Sequence, residues 1–309
     1  MRKHSQISRL ALVIFAAAAF ALAPLAAAQD TATRRVLFLT KSSGYQHSVI
    51  TRSKEEPDKP AHAEQILIDL GARNGFQVTV TKDASLFDKP ETYATYDVFA
   101  FYTSGDLTRF SQADGAPGMS REGKAAFLKA IADGKGFIGF HSASDTFHSP
   151  GRERELLRPV DESPTVDPYI AMLGGEFTGH GNQQQATMRF VSNSFPGLEN
   201  FKDFTMFEEW YGLKNLAPDM HVILVQDTWT MRNERGQAER DYARPPYPAT
   251  WARMHGKGRV FYTSMGHRED VWTNPNFQQI ITAGLNWVGG KTQFTPTPNM
   301  ERHTPQPRQ

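Results

Sequence analysis

The apolar residues of this sequence occur in short runs that alternate with longer amphipathic stretches. The four earliest runs predict strands, and the first of them is a short apolar run typical of a strand buried on both faces of a parallel sheet. These runs cover residues 35–40, 76–81, 97–102 and 136–140. Later candidate strands cover residues 186–191, 221–226, 249–253 and 259–263. The pattern predicts a sheet built from strands that are well separated along the chain.

Three amphipathic stretches between these runs predict helices. The first begins at Pro60 and extends to about residue 73, and the second is capped by Ser120 and closed by Gly134. The third covers about residues 275–288 and places its apolar side chains on one face. Strands and helices in this order predict an α/β domain with a doubly wound, mostly parallel sheet.

Both ends of the chain differ from the domain expected over residues 35–290. Residues 1–28 combine basic residues, an apolar run and a small-residue cleavage site at Ala28, which indicates a removable signal peptide. We therefore expect a periplasmic or secreted protein with no membrane attachment after cleavage. Residues 292–309 are rich in proline and poor in apolar residues, which predicts a flexible, solvated tail. Within the domain, residues 141–185 are expected to be rich in loops.

The composition excludes several classes of function. Without the signal peptide the chain carries 31 basic and 33 acidic side chains, a net charge of about −2, so no nucleic-acid partner is expected. The absence of cysteine excludes disulfides, thiolate metal sites and a cysteine nucleophile. No Gly-x-Gly-x-x-Gly motif follows the first strand and no phosphate loop is present, so no nucleotide cofactor is expected.

Polar residues follow several predicted strands, at the edge where parallel sheets bind ligands. Lys41 and His47 follow the first strand, His141 follows the fourth, and His267 follows the strand at 259–263. Because the carboxyl ends of parallel strands share one edge, the three histidines are expected to lie close together. Each histidine taken alone is more often structural than catalytic.

The fourth strand runs into a sequence typical of a sharp strand-to-helix elbow. The residue raised by the elbow is His141, which suits a general base, a proton donor or a metal ligand. Ser142 or Ser144 is an alternative nucleophile, although neither lies in Gly-x-Ser-x-Gly. Asp145 either orients His141 or caps the helix.

Downstream residues add carboxylates and aromatic rings. His180 lies in a glycine-rich loop, and Glu208 and Glu209 precede Trp210 and Tyr211. A carboxylate beside aromatic rings is suited to holding a sugar, because the rings pack on C–H groups while the carboxylate accepts hydroxyl hydrogen bonds. The same residues are also typical of a buried ion pair at the end of a strand.

A divalent metal ion such as zinc is a further interpretation of these residues. His141, His180, His267 and Glu209 are residue types that bind such ions. None of them forms a compact motif such as His-Glu-x-x-His, so their spacing alone is a weak signal.

Five segments, taken together and in order, resemble the ThuA-like (trehalose utilisation) family. They are residues 39–47, 139–146, 174–177 with His180, 208–211, and 258–263 with 266–267. The resemblance covers roughly residues 35–290. It implies a flavodoxin-like fold similar to class I glutamine amidotransferases without their catalytic cysteine, and a link to bacterial use of trehalose and related disaccharides, including 3-keto sugars.

The recurring polar positions of that family carry over onto six residues here. They are His47, His141, Asp145, His180, Glu209 and His267. The loop after the first strand has Gln46 where family members often have arginine, so an anion contact is expected to be missing. The signal peptide also implies a location where soluble nicotinamide cofactors do not support a sugar pathway.

The leading hypothesis is an exported enzyme that isomerises, cleaves by elimination, or hydrolyses a disaccharide or keto-sugar. In this hypothesis His141 is the central acid/base, Asp145 or a neighbouring backbone group orients it, and Glu209 assists catalysis. The expected substrate-binding residues are Lys41, His47, Ser142, His180, Trp210, Tyr211 and His267. The alternatives are a sugar-binding protein without catalysis and a partner-binding domain, both on a degenerate amidotransferase-like fold.

Overall fold

The computed structural model describes residues 33–150, 165–228, 231–232 and 246–304. The predicted signal peptide, residues 1–28, lies outside this part of the chain. Among the described residues the strands are β1 (Arg34–Leu39), β2 (Phe76–Thr81), β3 (Val98–Phe101), β4 (Gly136–Phe140), β5 (Glu176–His180), β6 (Gln184–Phe190), β7 (Phe204–Glu208), β8 (Tyr211–Lys214), β9 (His221–Asp227), β10 (Tyr247–His255) and β11 (Gly258–Thr263). The α-helices are α1 (His62–Arg73), α2 (Pro90–Thr95), α3 (Arg121–Ala132), α4 (Pro168–Leu173), α5 (Glu269–Trp272), α6 (Pro275–Val288) and α7 (Met300–His303).

Nine strands form one central sheet in the order β2-β1-β3-β4-β11-β10-β9-β6-β7. The five strands from β2 to β11 are mutually parallel, and β10, β9, β6 and β7 continue the sheet in antiparallel pairs. Strands β5 and β8 form a separate two-stranded sheet. The α/β fold is therefore confirmed, with a parallel core that gains an antiparallel extension on one side.

The apolar runs are buried because helices cover both faces of the parallel strands. Side chains of β1 from Val36 to Leu39 are fully buried. On one face α6 approaches β11 so closely that a Cβ on Gly284 would lie 2.7 Å from the Phe261 ring. On the other face Tyr169 of α4 packs edge-on against Phe137 of β4. Helix α6 has the bounds predicted from its amphipathic pattern.

The region expected to be rich in loops contains regular structure. Helix α4 and strand β5 lie within residues 141–185. Strands β7 and β8 also occur where the sequence predicted no strand. Strands β5 and β8 include glycine and polar residues in place of a continuous apolar run, because they belong to a small outer sheet. Their hydrophobic pattern is therefore weak.

The prediction of an unpacked tail is wrong for residues 292–304. The Asn299 side chain accepts a hydrogen bond from the Val222 N–H at 2.6 Å and donates one to the Val222 carbonyl at 3.0 Å. Met300 is buried against the core. Prolines prevent a long helix here, but they do not prevent an extended segment from docking through a few apolar and amide contacts. Residues 305–309 lie outside the described chain.

Among the described residues, no helix has both the length and the apolar character needed to cross a bilayer.

Candidate active site

Four loops at the carboxyl edge of the parallel strands bring together three histidines and one glutamate. His47 lies in the loop after β1, His141 directly follows β4, and His267 follows β11. Glu209 follows β7, the outermost antiparallel strand. One nitrogen or oxygen atom from each of the four side chains lies within 4.8 Å of those from the other three.

The chain turns sharply where β4 ends at His141. His141 has a φ of +42°, in the left-handed region that only glycine adopts freely, and it begins a short 3₁₀ turn, His141–Asp145. The Tyr262 hydroxyl donates a 2.8 Å hydrogen bond to the His141 carbonyl and supports this conformation. The His141 ring nitrogen Nδ1 lies 2.7 Å from the Ser264 carbonyl, which can only accept a hydrogen bond. The predicted elbow is therefore a strand running into a 3₁₀ turn.

Three donor atoms at the centre of the cluster are almost equally spaced. His141 Nε2 lies 3.3 Å from His267 Nδ1 and 3.4 Å from Glu209 Oε2. The distance from His267 Nδ1 to the same Glu209 oxygen is 3.1 Å. The His47 ring completes the group, with ring centroids 4.9 Å from His141 and 5.0 Å from His267. His47 Nδ1 is buried without a hydrogen-bond partner among the described residues.

Glu208 fixes the backbone of two of these residues. Its buried carboxylate accepts hydrogen bonds from the Glu209 N–H at 2.7 Å, the Gly266 N–H at 2.8 Å and the His267 N–H at 3.1 Å. Burial raises the pKa of Glu208 to about 7 even though these hydrogen bonds favour the ionised form. The sequence pairs Glu208 with Glu209 but gives no sign of this positioning role.

The charges in the cluster are unevenly distributed. Burial, reinforced by the neighbouring His141 and His267, lowers the pKa of His47 to about 2, so His47 is neutral. Burial also lowers the pKa of His141 below its ordinary value. Burial opposes the charge on His267, but the adjacent Glu209 outweighs it and leaves the His267 pKa raised. Burial opposes ionisation of Glu209, yet the adjacent His141 and His267 imidazoles hold its pKa well below the usual range.

Aromatic rings and a more exposed histidine surround the buried cluster. The Tyr211 ring lies 4.1 Å from His141 and 4.2 Å from Phe177, between centroids. His180, at the end of β5, is 44% exposed, and its Nδ1 lies 3.4 Å from Glu209 Oε1. Tyr45 is 66% exposed and packs edge-on against His47 at 4.8 Å. The cluster thus has buried walls and a partly open rim.

The sequence suggested that Asp145 orients His141, but in the structure Asp145 contacts a different histidine. Its carboxylate lies 2.7 Å from His148 Nε2, while the other ring nitrogen of His148 is 3.2 Å from Glu176. Burial opposes the charge on His148, but the two carboxylates raise its pKa to about 10. The sequence alone does not mark His148 as the partner of these two carboxylates. The three-residue spacing from Asp145 was the one available signal, because the turn that brings Glu176 close has no sequence motif.

Several residues expected at the site have structural roles instead. Lys41 is fully buried and its ammonium group donates to the Ala116 carbonyl at 2.7 Å. Trp210 is fully buried, with its ring N–H donating to the Gln184 carbonyl at 2.6 Å. The Ser142 hydroxyl is buried without a partner in the described part of the chain, so no histidine activates it as a nucleophile there. Ser144 is committed to Tyr262 at 2.8 Å.

Fold and site together define the class of protein. The chain has an α/β fold that is consistent with the class I glutamine amidotransferase-like fold, and it lacks cysteine altogether. The family described as ThuA, trehalose utilisation, matches residues 35–288, and the chain belongs to that family.

Solved structures of similar fold agree with this assignment. A ThuA-like protein from Bacteroides uniformis ATCC 8492 has a TM-score of 0.56 at 17% identity, with 86% of this chain and 96% of that chain covered. A ThuA-like protein from Parabacteroides merdae ATCC 43184 has a TM-score of 0.55 at 16% identity, with 85% and 95% covered. No curated protein matches the sequence of this chain. At these identities the structural likeness shows the fold.

Proposed function

We propose that this chain is an exported enzyme that isomerises, cleaves by elimination, or hydrolyses a disaccharide or keto-sugar by acid/base chemistry. The observation that carries the proposal is the convergence of three imidazoles and a carboxylate below a partly open rim. Membership of a trehalose-utilisation family supports a sugar as the substrate.

The chemistry of a keto-sugar fits the two layers of this site. Removing a proton next to a carbonyl requires one group that polarises the carbonyl oxygen and another that accepts the proton. In this proposal the buried cluster of His47, His141, Glu209 and His267 polarises the carbonyl oxygen of the sugar. His180 supplies the proton-transfer group, because it is partly exposed and its Nδ1 lies 3.4 Å from Glu209.

His141 has a different role in this proposal from the central acid/base suggested by the sequence. Its side chain is fully buried, and both ring nitrogens face partners, the Ser264 carbonyl on one side and Glu209 on the other. We therefore assign His141 to holding the cluster together, and proton exchange with the substrate to His180.

The aromatic rim suits the apolar face of a sugar ring. Tyr45 presents an exposed ring beside His47, and the Phe177 ring stacks near His180 at 6.0 Å. Rings of this kind pack against sugar C–H groups, while imidazoles and carboxylates hydrogen-bond the hydroxyls.

The test is a turnover assay on trehalose, a second disaccharide and their 3-keto derivatives, with products identified by NMR. We expect turnover of at least one sugar, and a decrease in kcat of about 100-fold or more in His180→Gln. His255→Gln is the matched control, because His255 ends β10 and is remote from the cluster; it should retain wild-type turnover.

Two outcomes would contradict the proposal. Equal turnover by His180→Gln and wild type would remove His180 from the reaction. Saturable sugar binding without any product after prolonged incubation would show that the chain is a sugar-binding protein and not an enzyme.

A further inference from the structure

We propose that His47, His141, Glu209 and His267 bind one divalent transition-metal ion. Each residue lies in a different loop, after β1, β4, β7 and β11 respectively. All four offer a donor atom to the same small volume, and three of the four are buried. Metal binding at these four residues does not depend on the proposed reaction.

The spacing of the donor atoms matches a shared ion. Donors bound tetrahedrally at roughly 2.1 Å from zinc lie about 3.4 Å from each other. His141 Nε2, His267 Nδ1 and Glu209 Oε2 are separated by 3.3, 3.4 and 3.1 Å. Two of the three separations are longer than ordinary hydrogen bonds, and all three are close to the spacing of donor atoms that share one ion.

The tautomer of His141 is also the one a metal ligand needs. Its Nδ1 faces the Ser264 carbonyl at 2.7 Å and must carry the hydrogen, so Nε2 presents a lone pair to the cluster. A backbone carbonyl behind the ring is the usual outer partner of a metal-binding histidine. His47 contributes a second sign, since its buried Nδ1 has no hydrogen-bond partner in the described chain.

Glu208 positions two of the four ligands. Its carboxylate accepts from the backbone N–H groups of Glu209 and His267, which come from separate loops. One buried carboxylate therefore sets the distance between a carboxylate ligand and an imidazole ligand. This fixed distance between the two ligands is what a shared metal ion requires.

The donor set indicates the chemical class of the ion. Three imidazoles and one carboxylate, without any thiolate, suit Zn²⁺ and the neighbouring divalent ions Co²⁺ and Ni²⁺ better than Ca²⁺ or Mg²⁺, which prefer oxygen ligands. His180 approaches Glu209 from the rim but does not belong to the four.

The experiment measures metal binding directly. The purified chain is stripped with a chelator and titrated with Zn²⁺ by calorimetry and with Co²⁺ by visible absorption. We expect one ion per chain, visible bands of tetrahedral or five-coordinate Co²⁺, and a higher melting temperature with Zn²⁺. Affinity should fall more than about 100-fold in His267→Gln and Glu209→Gln, and about 10- to 100-fold in Glu208→Gln, a positioning residue.

The controls separate this site from surface binding and from the proposed reaction. His255→Gln should bind Zn²⁺ like wild type, and His180→Gln should also retain binding although it loses turnover. Absence of Zn²⁺ heat, Co²⁺ bands and a thermal shift in the wild-type chain would overturn the metal site, whatever the outcome with sugars. Equal loss of affinity in His180→Gln and His267→Gln would overturn the assigned ligand set.

Discussion

At the scale of single residues, His148 is held in its protonated form by two carboxylates. Asp145 and Glu176 each face one of its ring nitrogens, so both N–H groups are used. Burial opposes ionisation of Glu176, but hydrogen bonds donated to Glu176 by His148, Ser149 and Asn215 lower its pKa to about 2. The pair is therefore ionised throughout the neutral range and links the turn after β4 to strand β5.

His148→Gln should destabilise the protein in a pH-dependent way. The folded pKa of about 10 lies above the ordinary value of 6.5, so protonation stabilises the fold fully below pH 6.5. This stabilisation decreases as the pH rises towards 10. We expect the variant to lose about 2 kcal/mol of unfolding free energy near pH 6 and progressively less towards pH 10. Urea unfolding of both proteins across this range measures the difference, and a constant difference would contradict the assignment.

Residue type and position along the chain predict part of the site. His47, His141 and His267 follow parallel strands, so topology alone places them at one edge. The partner of Asp145 is not predictable in this way, because the 3₁₀ turn after His141 directs Asp145 towards His148. Lys41 and Trp210 have types common in binding sites, but burial commits both to backbone carbonyls.

At the scale of elements, the loops after β1 and β3 depend on close backbone contact. Ser42 and Ser104 form an isolated bridge between them. Gly105 has a φ of +71°, and a Cβ there would lie 2.5 Å from the Gly44 nitrogen and 2.8 Å from the Ser43 carbonyl carbon. The loop that carries His47 is thus seated directly on Gly105.

Gly105→Ala should therefore destabilise the protein by more than backbone strain alone. We expect a loss of about 2–3 kcal/mol, because the methyl group forces two loops apart. Gly115→Ala is a matched control, since Gly115 has a similar φ of +67° but nothing within 4 Å of the added Cβ. The control should lose only about 1 kcal/mol. Urea unfolding measures both values, and equal losses would show that contact between the loops is unimportant.

Elements differ in how clearly the sequence indicates them. Strands β1, β3, β4 and β11 are largely buried on both faces, and their apolar runs are recognised directly in the sequence. Strand β2 lies at the edge of the sheet and alternates apolar with polar residues. Helix α6 shows a clear apolar face. Strand β7 alternates buried and exposed residues over only five positions, and β5 and β8 form a small sheet of their own. Patterns this short do not distinguish a strand from a loop.

At the scale of the whole molecule, we propose that export removes residues 1–28. The protein isolated from the periplasm of a Gram-negative host should begin at Gln29, as measured by N-terminal sequencing and intact mass. Ala28→Phe should block cleavage, because signal cleavage sites require small residues. Recovery of the unprocessed chain, beginning at Met1, in the cytosolic fraction would contradict export.

The overall architecture was the most predictable level. The order of strands and helices requires a parallel sheet covered on both faces, and the structure has one. The antiparallel extension was not predictable, because pairing partners such as β6 with β9 depend on which edges remain open after the parallel core forms. That extension is what returns Glu209 to the histidines.

The position of β11 has a consequence for how the protein matures. Residues 258–263 insert between β4 and β10, although β4 ends at residue 140. A nascent chain that stops short of β11 therefore leaves one side of β4 unpaired and has neither His267 nor the hydrogen bonds that the Gly266 and His267 N–H groups donate to Glu208. The complete cluster therefore forms only after residues 258–267 have been synthesised and have paired with strand β4.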